Sequence, residues 1–314
     1  MISIENAQYF IPNHFLDLEE VAADSGNLYH LSRNELKVFN RIYGLKKIPM
    51  ANGMSLSELL HIPIKKLLDS ERVHPDNVRF IIYAHTSKVV VPFSNAFLRD
   101  IKKIFHFQNA TILGTSVNNC ASTLAALEMA DVLLQEMDED ARAIILTGEI
   151  AFTQTQKLIP AVSILGDAAT AMLVSGEADQ HQLLALKIET HGASAAGIWM
   201  TPEESRQFEK EYTICFSKVI SDAVQQADID FSMVKYIFPH NVNLPSWHKI
   251  ADYLRIPREK IYLDNIKKYS HCFGSDIVIN FVDAMRHDLI QPGDYYMMAT
   301  VGLGSVYAAA VFQY

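Results

Sequence analysis

The segment Thr115-Ser-Val-Asn-Asn-Cys-Ala-Ser-Thr123 stands directly before an apolar run, residues 124–134, whose pattern predicts a helix. Cys120 therefore lies at the start of that helix. The free backbone N–H groups at a helix N-terminus favour a thiolate over a thiol. We interpret Cys120 as a candidate nucleophile, and the competing interpretation is a buried, inert cysteine.

The same order of sequence elements occurs twice in the chain, at an offset of about 150 residues. The matched pairs are the strands 78–85 and 234–240, the helices 124–134 and 273–286, the strands 143–147 and 295–301, and the strands 168–174 and 305–312. An offset this long is too large for a solenoid and indicates two duplicated halves of one fold, residues 1–176 and 177–314.

Helices and strands alternate in both halves, which predicts an α/β fold with mostly parallel sheets. If the halves pack about a pseudo-twofold axis, the two equivalent helices lie side by side. Cys120 and His271, which precede those helices, then converge. His240 ends a predicted strand, and α/β folds place catalytic groups at the carboxyl ends of strands. The sequence thus predicts one cleft that contains these three residues.

Composition excludes several classes of function. The chain has 314 residues, is 49% hydrophobic and carries a net charge of −9, which argues against a nucleic-acid partner. It has no apolar segment long enough to cross a bilayer, and Met1-Ile-Ser-Ile-Glu-Asn6 does not resemble a secretory signal, so we expect a cytoplasmic protein with no membrane partner. No histidines show metal-ligand spacing, so we expect neither a metal nor another cofactor.

Four segments, in order and at fitting separations, resemble motifs of the β-ketoacyl-acyl-carrier-protein synthase III group of thiolase-fold condensing enzymes. They are Asn118-Asn-Cys-Ala-Ser-Thr123, Leu165-Gly-Asp-Ala-Ala-Thr-Ala171, Pro239-His-Asn-Val-Asn243 and Val301-Gly-Leu-Gly-Ser-Val-Tyr307. They resemble the nucleophile segment, a Phe-Gly-Asp-Gly-Ala-Gly-Ala turn, a Pro-His-Gln-Ala-Asn loop and a C-terminal glycine turn. The resemblance covers nearly the whole chain. It implies a thiolase-like fold in which two pseudo-symmetric α/β halves form a layered α-β-α-β-α unit.

The resemblance also implies a reaction and its residues. Cys120 would take the acyl group from an acyl thioester, and the backbone N–H groups of Cys120 and Gly304 would hold the oxyanion. A malonyl thioester would then lose carbon dioxide, His240 would stabilise the enolate, and Asn243 would bind substrate. The implied function is decarboxylative Claisen condensation with malonyl-acyl carrier protein, in fatty acid, polyketide or secondary metabolism. The implied partners are acyl carrier protein and a second copy of the chain, with residues 89–93 as a possible interface.

The chain departs from the family pattern at two places. Ser270-His-Cys272 stands where the family has Gly-Asn-Thr, so His271 or Cys272 takes the place of a decarboxylation asparagine. A Cys-His-His set resembles elongating ketosynthases, yet a histidine could also act as general base for an alcohol, amine or water. Pro245 stands where an arginine is common, which favours a donor on carrier protein over free coenzyme A.

Three alternatives to condensation stay open. The first is an acyltransferase that passes the acyl group to a hydroxyl or amine without forming a carbon–carbon bond. The second is a noncatalytic subunit of a condensing-enzyme heterodimer, although retention of both Cys120 and His240 argues against it. The third is a thioesterase. Acyl chain length and branching depend on pocket depth, which the sequence does not determine.

Overall fold

The computed structural model describes residues 2–19, 31–70, 73–91, 96–176 and 179–314. The strands are β1 (Ser3–Phe10), β2 (His14–Asp17), β3 (Lys47–Met50), β4 (Val78–Ala84), β5 (Thr111–Thr115), β6 (Arg142–Glu149), β7 (Leu158–Ile159), β8 (Ser163–Ile164), β9 (Ala168–Ser175), β10 (Gln182–Thr190), β11 (Val234–Pro239), β12 (Tyr295–Gly302) and β13 (Val306–Gln313). The helices are α1 (Arg33–Arg41), α2 (Leu56–Ser70), α3 (Ala96–Ile104), α4 (Ser122–Leu134), α5 (Gln154–Lys157), α6 (Pro202–Gln226), α7 (Leu244–Leu254), α8 (Ile266–Tyr269) and α9 (Asp276–Arg286). In these ranges, no helix combines the length and apolar character that a membrane span requires.

The main strands form one hydrogen-bonded sheet in which the order of the first half is repeated by the second. Across the described residues the order is β11-β12-β13-β10-β1-β9-β6-β4-β5. Strand β6 lies between β4 and β9, and its counterpart β12 lies between β11 and β13. The two sides join where Ser3 of β1 pairs with Gln182 of β10. The predicted repeat of strands is therefore a repeat of sheet topology as well.

The sheet is mixed, so the prediction of mostly parallel sheets was wrong. The pairs β4–β5, β4–β6 and β11–β12 are parallel, but the closing strands β9 and β13 run antiparallel to their neighbours. Strand β12 ends at Gly302 and β13 begins at Val306. A connection this short joins only antiparallel strands, because a parallel crossover needs a dozen or more residues.

Helices and strands stack in five layers. Helices α4 and α9 form the middle layer, and their apolar side chains share one core with strand residues of both halves, such as Ile145 and Met298. Helices α2 and α3 cover the outer face of the first half, while α6 and α7 cover that of the second. The architecture is the α/β, α-β-α-β-α arrangement that the sequence motifs implied.

The two middle helices meet at equivalent positions of the repeat. Cys120 contacts His271, and Thr123 Oγ1 donates a hydrogen bond to the Gly274 carbonyl at 2.8 Å, each pair being 151 residues apart. Contacts between a residue and its own counterpart are what a twofold axis between the helices produces. The boundary between residues 1–176 and 177–314 stays a prediction.

Candidate active site

Cys120 lies in a single helical turn, Asn119–Ala121, that leads into α4. The turn is fixed to the β12–β13 hairpin, because the Asn119 side-chain amide donates to the Leu303 carbonyl and Gly302 packs directly on the Asn118 backbone. The Cys120 side chain is buried. Its position is thus determined jointly by the start of α4 and by a turn from the other half of the chain.

His271 is the nearest histidine to the thiol. Its Nε2 lies 3.5 Å from Cys120 Sγ, so the convergence predicted from the repeat is confirmed. The backbone of His271 is held on both sides by the segment before β9, since its N–H donates to Ile164 and its carbonyl accepts from Gly166. The ring is 2% exposed. This side chain is therefore both buried and oriented toward sulfur.

The other ring nitrogen of His271 contacts a carboxylate that the sequence analysis did not select. His271 Nδ1 and Asp276 Oδ2 are 2.5 Å apart, and Asp276 is fully buried in the first turn of α9. The same carboxylate accepts backbone N–H groups from Asn241 at 2.5 Å and Cys272 at 2.7 Å. Cys120, His271 and Asp276 thus form a continuous chain of contacts.

His240 lies on the opposite side of the site, directly after β11. Its ring centre is 6.2 Å from that of His271, and its Nε2 is 3.3 Å from the Tyr212 hydroxyl of α6. Trp247 Nε1 donates to the His240 carbonyl at 2.8 Å and anchors the loop. Within the described part of the chain, His240 Nδ1 is buried without a hydrogen-bond partner.

The surroundings shift the pKa values of the two histidines in opposite directions. Burial lowers the pKa of His240 to about 3, and the positive charge of His271 adds to this effect. Burial also opposes charge on His271, but the charges of Asp276 and Cys120 and the hydrogen bonds to both raise the pKa of His271 to about 10. These opposite shifts favour a protonated His271 and a neutral His240 near neutral pH.

A cavity of about 310 Å³ connects these groups with the surface. Cys120, His240 and His271 are buried residues of its lining, and its wall is largely apolar. The wall residues include Ile159, Pro160, Val162, Phe208, Val242 and Leu303. Among the lining residues Lys249 carries a positive charge, and its Nζ lies 3.7 Å from the Glu209 carboxylate. An apolar channel of this kind suits a long, weakly polar group better than a phosphate.

Comparison with known proteins finds synthase III proteins among the relatives of this chain. Residues 224–314 match the family model "3-Oxoacyl-(acyl-carrier-protein) synthase III C terminal". The β-ketoacyl-acyl-carrier-protein synthase III of Oenococcus oeni is 22% identical over 290 residues, covering 86% of this chain and 88% of that protein. The synthase III of Aquifex aeolicus is 24% identical over 208 residues, covering 62% of this chain but only 64% of that protein.

The chain is thus similar in sequence to proteins of the synthase III group. Solved structures agree in fold: the Aquifex aeolicus synthase III superimposes with a TM-score of 0.83 at 18% identity, covering 100% of both chains. ChlB3, described as an acyltransferase, superimposes with a TM-score of 0.87 at 15% identity, covering 99% of this chain and 97% of ChlB3. Likenesses at these identities establish the fold and leave the reaction to be argued from the site.

The synthase III resemblance implied functional roles for Asn243 and Gly304, and both residues also have a structural role in the fold. The Asn243 side chain lines the cavity, but its Oδ1 accepts the Ser246 N–H at 2.8 Å and its Nδ2 donates to the Val162 carbonyl at 3.1 Å. Gly304 lies in the β12–β13 turn at a φ of +98°, a backbone conformation that favours glycine. Its role as an oxyanion donor stays a prediction.

Between the two candidates for the family's asparagine position, His271 rather than Cys272 faces the nucleophile. The Cys272 thiol donates to the Tyr269 carbonyl at 3.4 Å. Burial raises the pKa of Cys272 well above its ordinary value, and the charges of Asp276 and Asp167 add to this effect. Cys272 is therefore a packed thiol in this synthase III-like site.

Three side chains that contact the candidate catalytic residues were missed by the sequence analysis, and so was Glu149, which supports one of them. Thr86 Oγ1 donates a hydrogen bond to Cys120 Sγ at 3.4 Å. The Thr86 backbone N–H in turn donates to the buried Glu149 carboxylate at 2.5 Å. Tyr212 and Asp276 contact the two histidines. For Asp276, one signal was available: an acidic residue in the first turn of the helix after His271, where the helix dipole favours a carboxylate. Thr86 and Tyr212 had no comparable signal.

Proposed function

We propose that the protein transfers an acyl group through an acyl-Cys120 intermediate and uses it in a decarboxylative condensation with a malonyl thioester on acyl carrier protein. The observation that carries this proposal is the convergence of Cys120, His271 and His240 in the lining of one largely apolar cavity. A buried cysteine beside an imidazolium is an activated nucleophile for a thioester carbonyl.

The second half-reaction needs a group that stabilises an enolate. Loss of carbon dioxide from a malonyl thioester leaves the electron pair of the broken bond on the enolate, which then forms a carbon–carbon bond to the acyl-cysteine carbonyl. A neutral His240 that donates from Nε2, where Tyr212 now lies, supports this step. The products are a β-ketoacyl thioester and free Cys120.

A donor carried on acyl carrier protein is supported by the charge of the cavity. Pro245 lines it and brings no positive charge to a coenzyme A phosphate. Lys249 lies close to Glu209, which reduces the positive potential that the lysine offers there. We therefore propose the carrier protein as the partner that delivers the acyl thioester.

One observation favours a second candidate, transfer of the acyl group to a hydroxyl or amine. In its neutral form, His271 Nε2 is a proton acceptor 3.5 Å from the sulfur that bears the acyl group. An asparagine at this position has no such capacity. A nucleophile bound next to His271 would then take the acyl group without decarboxylation.

The test is intact-mass spectrometry of the protein after exposure to acyl-carrier-protein thioesters, followed by a chase with malonyl carrier protein. We expect an acyl adduct in the wild type and in Cys272→Ser, and none in Cys120→Ala. Discharge of the adduct by malonyl carrier protein with release of carbon dioxide supports condensation.

The other outcomes separate the alternatives. An adduct that ignores malonyl carrier protein but is discharged by a hydroxyl or amine acceptor supports the acyltransferase. Discharge to free acid without an acceptor supports a thioesterase. Absence of an adduct with every donor contradicts the acyl-cysteine proposal and favours the noncatalytic subunit.

A further inference from the structure

Asp276 is a buried carboxylate whose hydrogen bonds fix the protonation pattern of His271. Two of its three partners are backbone N–H groups, of Asn241 and Cys272, which can only donate. The carboxylate is thus an acceptor, and His271 Nδ1, 2.5 Å from Oδ2, carries a proton. The remaining ring nitrogen, Nε2, faces Cys120 with either a lone pair or a second proton.

The His271 ring lies between the Asp276 carboxylate and the Cys120 sulfur. All three side chains are buried, so a proton that moves onto His271 Nε2 interacts with both neighbours in surroundings of low polarity. Low polarity strengthens each of these interactions relative to the same pair in water. When Nε2 carries its lone pair, it can therefore accept the proton that leaves sulfur, and Asp276 stabilises the imidazolium that forms.

We propose that Asp276 is a positioning residue that holds His271 as the proton acceptor and donor of Cys120, an inference that rests on the proposed acyl transfer. The proton of the Cys120 thiol moves to His271 Nε2, and the sulfur electron pair forms a bond to the thioester carbonyl carbon. When the tetrahedral intermediate collapses, the bond to the pantetheine sulfur breaks. The departing thiolate then takes the proton from His271 Nε2, while Nδ1 keeps its proton throughout.

Asp276 also links the two histidine loops, since its backbone partners Asn241 and Cys272 directly follow His240 and His271. Removing the carboxylate would disturb both loops, so loss of activity alone would not separate positioning from structure. The other titratable groups around His271 are Cys120, His240, Cys272 and, on the turn that pairs with the His271 backbone, Asp167. The readout must therefore report the proton on His271 or the reactivity of Cys120.

The experiment compares Asp276→Asn with Asp283→Asn, a matched control on the same helix. Asp283 is also buried and accepts hydrogen bonds from Tyr9 at 2.5 Å and Asn265 at 2.9 Å, and these partners lie outside the active site. The rate of Cys120 alkylation by iodoacetamide is measured from pH 5 to 10 by peptide mass spectrometry, which separates Cys120 from the other cysteines.

We expect Asp276→Asn to slow alkylation near neutral pH at least about tenfold and to move the pH profile upward, because the thiolate loses its imidazolium partner. Asp283→Asn should lower stability and leave the profile unchanged. A folded Asp276→Asn protein with a wild-type profile, or equal shifts in both variants, would overturn the proposal.

A second measurement needs no variant. In wild-type protein labelled with ¹⁵N-histidine, we expect His271 Nδ1 to be protonated at every pH at which the protein is folded. An unprotonated Nδ1 contradicts the proposal even if Asp276→Asn does not fold. Neither measurement uses an acyl donor. A failure of the positioning role of Asp276 can therefore be distinguished from a failure of the proposed acyl transfer.

Discussion

At the residue scale, two histidines with ring centres 6.2 Å apart have pKa values shifted in opposite directions by their surroundings. Both rings are buried, and burial alone favours neutral imidazole. His271 has a carboxylate on one nitrogen and sulfur on the other, whereas His240 faces the Tyr212 hydroxyl and a positive neighbour. The division of labour in the proposed reaction follows from these contacts.

His240→Asn should separate the two half-reactions. We expect acylation of Cys120 to continue and decarboxylation of malonyl carrier protein to fall by a factor of about 10² to 10³, because the donor to the enolate is lost. The acyl adduct and carbon dioxide release are measured in the same sample. His248→Asn on α7 is the control, and an equal loss of acylation in His240→Asn would contradict the assignment.

Stability should fall on the acid side of neutrality because of buried neutral histidines. The pKa of His240 is lowered to about 3 and that of His181 to about 4, both mainly by burial. As the pH falls below about 6.5, the unfolded chain binds protons that the folded one cannot, so the free energy of unfolding decreases until about pH 3. Urea denaturation between pH 7 and 4 measures this slope.

The matched variant for the pH dependence is His181→Gln, which removes one of the two groups without touching the site. His181 stacks on Tyr314 at a ring distance of 4.1 Å. The variant should be less stable at pH 7 and show a shallower decrease toward pH 4. An unchanged slope would show that His181 takes up its proton without unfolding.

At the element scale, α7 begins with a residue that also lines the cavity. Asn243 caps the helix through the Ser246 N–H, and its amide is otherwise used by Val162. We expect Asn243→Ala to cost about 1 kcal/mol in the free energy of unfolding, and Asn243→Asp to keep the cap but recover only part of that loss, because a carboxylate cannot donate to the Val162 carbonyl. Denaturant titration checks this expectation.

The same variants test the role of Asn243 in substrate binding. If the side chain acts only as a cap, Asn243→Asp keeps the KM for the acyl donor close to that of the wild type. A stable Asn243→Asp protein with a strongly raised KM would show instead that the amide contacts substrate.

The contact between the Asn119–Ala121 turn and the β12–β13 hairpin leaves no room for a side chain at Gly302. A Cβ on Gly302 would overlap the Asn118 carbonyl, which belongs to the backbone and cannot rotate away. We expect Gly302→Ala to cost about 1–3 kcal/mol in the free energy of unfolding and to slow acylation of Cys120. Gly192→Ala is the control, because a Cβ there meets nothing within 4 Å. Equal stability of both variants would contradict the expectation.

At the scale of the whole molecule, the proposed active site lies where the two halves of the repeat meet. Cys120 comes from the first half, and His240, His271 and Asp276 come from the second. The shared core around α4 and α9 holds these parts in register. We therefore expect neither half of the repeat to contain a complete site.

The homodimer stays a prediction with a specific test. Within the segment 89–93, Pro92 and Phe93 lie outside the described residues, whereas Val89 is 53% exposed and its carbonyl accepts from Gln156 next to the exposed Phe152. We expect sedimentation to give twice the chain mass, and Val89→Lys to weaken the dimer. Val132→Lys, at an exposed valine of α4, is the control. A wild-type monomer, or equal effects of both variants, would contradict this interface.

Much of the fold could be read from local patterns. Strands such as β6 and β12 are apolar runs that end at or next to glycines, and their predicted limits differ from the observed ones by one or two residues. The direction of pairing was not readable, because it depends on which strands become neighbours. Only a short connection such as Gly302 to Val306 carried that information locally, and the sequence analysis did not use it.

The amino-acid sequence alone determined the α/β fold, the repeat and the approach of Cys120 to His271, because apolar periodicity and turn residues act over a few positions of the chain. Tertiary structure alone decided which group faces the thiol, His271 rather than Cys272, and which carboxylate holds that histidine. It also decided that Asn243 caps a helix. These outcomes depend on side-chain direction and burial, which bring Asn241, Cys272 and Asp276 together only when both halves have packed.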